Sequence, residues 1–532
     1  MVRMTGWRAA LLAVGVLAGA AVTGCGLYPD PPNLTVPPDA LQSVGTQVVG
    51  AVVNAKDSSL ITSPVTLRFL TETGGAASFV KDGQGHSITS LVVNGGPISL
   101  SIADGTSFPT KLQIAASGQG FFPASTTLVL TGPGTYTLLE KLSSSTNPPD
   151  GVAVAAPASA GTADSTGTTT TTTVVASSDA PSSVELTVPS GTTVKDANGT
   201  PLTGALSVTV ASYDSQSRSA MQAMPGSLTH AVVKNGSALS TGSIVIGGFS
   251  QIFVSDDAGH QAASFSQPMP ATLQLPSGTL NPLTGVAVQP GDTVPVWSLN
   301  ESTGVWNNEG TGTVTAGAGG ALLASFNVTH LSGWSVAWVL DAANQCTANI
   351  TVSGAGNYSL AMLAELDGFF VYGTLDAGTT QFQLDGIPAA LPTEIVAYYA
   401  GQELGSVQVG ANCVAAGPLN VSIPTSIQPA TLDVSVFNVC SNDTSKKTAV
   451  PSTAVLASGG AQPNVFGATG GNGTTHLEGL IAGSVTVYAV NRDPKGAAFA
   501  PQTITLKAGA NAVEFDNVTT CTVLTGASGG SL

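Results

Sequence analysis

Four tryptophans, Trp297, Trp306, Trp334 and Trp338, fall within 42 residues of a chain that has five in 532. Indole faces beside polar side chains are what a sugar-binding surface uses. The stretch "VPVWSLNESTGVWNNEG" (294–310) supplies both. The same residues suit the core of a β-hairpin, and "WSVAW" puts Trp334, Val336 and Trp338 on one strand face. The expectation is that the four rings form one domain's core. Two acidic turns come next. "KDANGT" (195–200) and "SDDAGH" (255–260) gather oxygens of the kind Ca²⁺ takes, about six to eight per site. Neither has the twelve-residue loop with a distal Glu. Asn-Gly and Asp-x-Gly also make ordinary tight turns, and turns are the expectation. His86, His230, His260, His330 and His476 are far apart and read as hydrogen-bonded structural residues. No G-x-S-x-G elbow, H-E-x-x-H helix or phosphate-binding glycine loop occurs. The scattered carboxylates offer no recognisable pair for glycoside hydrolysis. No catalytic residue, metal or cofactor is assigned.

The hairpin that would position the first two tryptophans can be written out. Val294 to Leu299 and Val305 to Glu309 read as strands, and Glu301 to Gly304 as a four-residue loop with Gly304 at positive φ. Asn300 then faces Val305, Leu299 faces Trp306, and Trp297 faces Asn308. Trp297, Leu299 and Trp306 share the inward face, while Ser298 and Asn307 share the outer one. A slip of one residue would send the two rings to opposite faces.

Charged residues make up only 9% of the chain, against about 25% in an ordinary soluble protein. Gly, Ser, Thr, Ala and Val take their place. Short β-branched runs such as "PVTLRFL", "LSVTVASYD", "TLDVSVFNV" and "SVTVYAV" alternate with Gly, Pro, Asn and Asp clusters. The fold class is all-β: several β-sandwich domains in tandem. Residues 45–145 form one sandwich. Residues 146–183, with six consecutive threonines, read as a linker or long exposed loop. Residues 184–340 form a β-rich domain with the Trp hairpin, and two smaller sandwiches span 341–427 and 428–524. Residues 525–532 are a flexible tail.

The first 25 residues, "MVRMTGWRAALLAVGVLAGAAVTGC", read as an export signal with Arg3 and Arg8 ahead of an apolar run. Val22-Thr23-Gly24-Cys25 resembles the lipobox of bacterial lipoproteins. The resemblance implies cleavage after residue 24, a diacylglyceryl group on the Cys25 sulfur, and a membrane partner reached through that lipid. Gly26 stands where Asp would mark inner-membrane retention in many enteric bacteria, which favours the outer membrane or cell surface. Residues 25–44, rich in proline, form an extended tether of about 3.1 Å per residue. The leader carries two arginines and no acid, so its removal takes the net charge from −16 to −18. So acidic a chain is a poor partner for nucleic acid, whose phosphates need Lys and Arg.

With Cys25 assigned to lipid, Cys346, Cys413, Cys440 and Cys521 remain, an even set in an exported chain. Their spacing contains no C-x-x-C pair, which argues against zinc. The two small sandwiches look like a divergent repeat. Leu384-Asp385-Gly386-Ile387 matches Leu477-Glu478-Gly479-Leu480, and Gly410-Ala411-Asn412 matches Gly509-Ala510-Asn511. Each unit opens and closes on a Cys, so Cys346–Cys413 and Cys440–Cys521 are the expected pairs. "LTGPGTYTLLEKL" in the first sandwich is a weaker echo.

These segments resemble the prealbumin-like sandwich of carboxypeptidase regulatory-like domains, with Pro388 kept in one copy and Ile481 in its place in the other. Residues 184–340, through "VELTVPSGTTVKDANGTPLTGALSVTVASYD", the Trp hairpin and "VTHLSGWSVAW", resemble a β-rich region of cartilage intermediate layer protein relatives and bacterial surface lipoproteins. Neither resemblance implies catalytic residues. The resulting expectation is a lipid-anchored, non-enzymatic structural or adhesive scaffold whose partner is an extracellular protein or glycan. The rival is a carbohydrate-binding or enzyme-accessory lipoprotein using the tryptophans.

Overall fold

The computed structural model describes residues 34–35, 43–82, 85–155, 158–171, 173–176, 183–356, 358–459, 462–490 and 499–524. The leader, Cys25 and residues 525–532 lie outside them. The regular elements of the described residues are almost all strands, arranged as sandwich units in sequence.

In the first unit, Thr46–Asn54 is parallel to Gly134–Leu142 and antiparallel to Ile98–Ile102. The second sheet holds Val65–Leu70 between Ser90–Val93 and Thr110–Gly118. Thr46–Asn54 is buried nearly throughout, as a strand covered on both faces must be. Val48 and Val52 enter the sandwich core. Ala51 and Val53 face the other way and pack on Leu456 of the fourth unit. Gly50 is required here, because a Cβ would lie 1.9 Å from the Leu138 carbonyl oxygen.

The second unit is a twelve-stranded sheet, and five of its strands close on themselves. Ala231–Asn235 pairs with Ala238–Asp256, which pairs with Gly333–Leu340, then Thr293–Asn300, then Val305–Ala316. Val305–Ala316 returns in parallel to Ala231–Asn235, with Val233 beside Trp306. The circuit is a small barrel. The 19-residue strand Ala238–Asp256 serves two cores because the register shifts between Ile246 and Gly248. Ile244, Ile246 and Phe249 fill the barrel, whereas Ile252 and Val254 enter the sandwich core. An extra residue in a strand bends it and re-aims its side chains.

Where the composition of 146–183 predicts a linker or long exposed loop, its described residues include three strands. Val152–Val154 and Ala158–Ala163 pair with Gly204–Tyr213, and Thr173–Ala176 pairs with Val184–Val188. Small and hydroxyl side chains bury little area, but these segments hold the sheet through main-chain hydrogen bonds, and Thr favours strands. Nor is the whole tether free. Leu34–Thr35 pairs antiparallel with Val523–Leu524.

In the third unit, Gln345–Ser353 pairs with Gln381–Pro388 and faces a second sheet ordered Phe369–Leu375, Leu360–Leu366, Thr393–Tyr399 and Gln402–Val409. In the fourth, Pro429–Cys440 pairs with Thr474–Ile481 and in parallel with Gly509–Thr519. The repeat is visible at its glycines. Gly386 and Gly479 have φ of 80° and 78°, beside matching register shifts in the two first strands. The echo in the first unit is not equivalent, since Gly134–Leu142 is that unit's closing strand.

Candidate functional site

The hairpin has the expected turn register: Asn300 opposite Val305, Leu299 opposite Trp306 and Trp297 opposite Asn308. Gly304 adopts φ 73° and donates its N–H to the Asn300 carbonyl. Trp297, Leu299 and Trp306 point into the barrel, where Trp306 meets Phe249 edge to face at 5.9 Å. Phe122 of the first unit and Met221 of the short helix Arg218–Gln222 join that core. Trp334 and Trp338 belong to a different core. Ser298 lies opposite Trp334, so Trp334 sits on the Ser298 side of the sheet, stacked on Phe326 at 5.7 Å. One core for all four rings is therefore corrected to two, on opposite faces of one sheet, because strand side chains alternate. None of the four is a sugar platform: their exposures are 6%, 0%, 1% and 3% along the chain.

The outer side of the hairpin is polar. Lys234, Gly236, Asn300, Asn307, Asn308, Glu309 and His330 line a basin of about 400 Å³. The pairing jumps from Trp297–Asn308 to Val296–Gly310, leaving Glu309 as the extra residue of a β-bulge. Glu309 Oε1 accepts from Ser298 Oγ at 2.8 Å and contacts His330 Nε2 at 3.1 Å. The His330 bond, first, and the Ser298 bond hold the Glu309 carboxyl below its usual range. The other ring nitrogen of His330 meets Ser332 Oγ at 3.2 Å. This row of Ser, His and Glu is not a nucleophile relay. Ser332 is buried outside the basin wall, and its hydroxyl also donates to the Gly333 carbonyl; a reacting serine must present its oxygen to substrate.

Two carboxyls that the sequence did not single out are buried, Glu301 at the seam between first unit and barrel and Glu140 within the first unit. Glu301 accepts from Gln251, which also donates to the Pro123 carbonyl and accepts from the Tyr213 hydroxyl. Burial pushes Glu301 up to about 7. It pushes Glu140 up to about 8, with Thr126 as its partner and Oε2 left without one. Glu140 had a signal, since alternation places it on the face of Leu138 and Leu142. Glu301 had none, because a turn residue is ordinarily solvated.

The acidic turns are closed by their own carboxylates. Asp196 accepts from the N–H groups of Asn198 and Thr200, and Asp256 from those of Ala258 and His260. Asp82 and Asp164 do likewise with His86 and Thr168. Gly199, Gly259, Gly85 and Gly167 supply the positive φ in these four turns. Among the described residues no group of three His, Cys, Asp or Glu could hold a metal ion. His86, His260, His330 and His476 each sit beside a carboxylate; His230 is left-handed at φ 51°.

Cys346 is joined to Cys413 and Cys440 to Cys521. Their places differ from the expected first-to-last closure. Cys413 lies in a turn ahead of the closing strand, and Cys440 ends its first strand rather than opening the unit. A second tie, Arg218, bonds Glu365 and Tyr398 and so holds the barrel's short helix to the third unit.

No family model and no curated protein matches the chain, so the two family resemblances gain no support. Several solved pilins are similar in part. The minor pilin of Streptococcus agalactiae is 11% identical, with 33% of this chain and 97% of that one covered and a TM-score of 0.17. The major pilin subunit of Bacillus cereus is 8% identical over 90% and 99%, at 0.14. The full-length major pilin of Corynebacterium diphtheriae is 8% identical over 89% and 97%, at 0.15. The class, a tandem β-sandwich protein, stands on the sheets described above. Among the described residues no helix is long and apolar enough to cross a membrane.

Proposed function

We propose that the chain is a non-enzymatic envelope scaffold, structural or adhesive, anchored through lipid on Cys25 and displayed at the outer membrane or cell surface. The observation that carries the scaffold reading is the closure of the first unit on the fourth. Ala51 and Val53 pack on Leu456, Gln47 donates to the Ser452 carbonyl at 2.6 Å, and Asn464 donates to the Ser58 carbonyl. Units that touch only their neighbours in sequence could flex at each joint. Contact between first and last supports a body that does not flex at each joint, and a cystine braces each of the last two units internally. The lipobox-like Val22-Thr23-Gly24-Cys25 and the scarcity of surface charge support export and anchoring. Mass spectrometry of the mature N-terminus should find a diacylated Cys25, and biotin labelling of intact cells should reach the body. A mature protein that begins elsewhere without lipid would remove the anchor. A body labelled only after lysis would place it inside the envelope.

A further inference from the structure

Asn307, Asn308 and Glu309 are consecutive, yet all three line the same basin. Alternation puts Asn307 and Glu309 on the Ser298 face and Asn308 on the Trp297 face, beside the bulge that interrupts the ladder at Glu309. The amides are also held in place. Asn300 Oδ1 accepts from Ser302 N–H and Oγ, and Asn308 Oδ1 accepts from Gly310 N–H. Asn300 and Asn308 thereby keep their NH₂ groups as donors, while the Asn307 NH₂ donates to the Val305 carbonyl at 3.5 Å. Glu309 Oε1 is held by Ser298 and His330, which leaves Oε2 as the acceptor it offers. Lys234 adds a further donor from the neighbouring strand.

We propose that this basin binds a saccharide through its hydroxyl groups. A sugar hydroxyl both donates and accepts, and the wall alternates fixed donors with a fixed acceptor. One ammonium and one carboxylate on the same wall suit a neutral ligand. An anion would meet Glu309, and a divalent cation would meet Lys234 and amide NH₂ groups. Groups locked before binding lose little entropy on binding. The volume is within the ordinary range for small-ligand sites, about 300–1,000 Å³. This differs from the tryptophan platform weighed from sequence, because the four rings are buried in two cores and the polar side chains do the recognition. It names a partner chemistry for the scaffold and rests on that reading only for its biological setting.

The test uses the full chain carrying Cys25→Ser, so that lipid plays no part. Saturation-transfer NMR and calorimetry would be run against free glucose, galactose, mannose, N-acetylglucosamine and their disaccharides. At least one should bind. Asn308→Ala and Glu309→Gln should each weaken it about tenfold, the worth of one strong hydrogen bond, with melting unchanged. Asn300→Ala, at an exposed position, provides the same readout if Glu309→Gln disturbs the bulge. No binding across the panel, or binding that the folded variants leave unaltered, overturns the proposal. Either result leaves the anchored-scaffold reading standing, since neither lipid nor unit closure enters the test.

Discussion

In the third unit the closing strand Leu419–Asn420 lies beside the first strand over two residues, at Val352 and Ser353. In the fourth, Gly509–Thr519 lies beside Pro429–Cys440 over eleven, from Ala430–Gly509 to Cys440–Thr519. The cystines follow that difference. Cys346–Cys413 ties the start of the third unit's first strand, the end that the short ladder does not reach. Cys440–Cys521 caps a ladder that is already complete. Two copies of one plan thus close by different means, covalent in one and mainly hydrogen-bonded in the other. A repeat keeps its turns and core strands while the closure drifts, because either device removes the same freedom of the last segment.

Opening the cystines is the strongest way to break this comparison. Loops of 67 and 81 residues each give about 4 kcal/mol by chain entropy alone. Cys346→Ser with Cys413→Ser should cost at least that and expose the amides of residues 352–353 and 419–420 to hydrogen exchange. Cys440→Ser with Cys521→Ser should leave the eleven-residue ladder protected. Equal deprotection in both units would mean that the ladder does not close the fourth.

The shared glycines sharpen the likeness. Alanine at a left-handed position costs about 1–2 kcal/mol. At Gly479 a Cβ meets nothing within 4 Å, whereas at Gly386 it meets Ser243 Oγ of the barrel strand at 3.0 Å. Gly386→Ala should therefore cost about 2 kcal/mol and Gly479→Ala about 1, read from denaturant midpoints. The reverse order would show that the two bulges are not equivalent.

Tyr399 of the third unit donates its hydroxyl to the Leu480 carbonyl of the fourth at 3.1 Å. Tyr399→Phe should cost about 1 kcal/mol, and the two units should then melt over more separated ranges. The smallest effect is at the surface. Lys447, on the strand Asp443–Ala449 antiparallel to Pro429–Cys440, pairs with Glu514 and Asp516 of Gly509–Thr519, and partly exposed pairs contribute under about 1 kcal/mol. Lys447→Met should shift the midpoint barely, and a larger loss would give the ladder an electrostatic component.

Where a feature depends on neighbours in sequence, it was legible. "NESTG" fixes the hairpin loop, so Leu299 opposite Trp306 follows from counting. The Asp-x-x-Gly turns close through bonds spanning four residues. Leu384 and Leu477, each two residues before a left-handed glycine, mark the repeat. The tryptophans were legible as core residues but not as members of two cores. That division depends on which strands flank the hairpin, and Val233 beside Trp306 is a pairing between residues 73 positions apart. The bulge at Glu309 was hidden for the same reason. "WNNEG" continues an alternating strand as readily as it interrupts one, and only the pairing beyond Gly310 decides.

By itself, then, the sequence determined an all-β chain of acidic net charge, its local turns, the inward face of one hairpin and which cysteines belong to which unit. These depend on composition, period-two alternation and short-range hydrogen bonds. The tertiary structure alone decided the strands within 146–183, the closure of the barrel, the polar basin and the contact of the first unit with the fourth. Val53 and Leu456 read as ordinary strand residues. Apolar burial is not directional, and nothing in either stretch says which of many apolar faces it will meet.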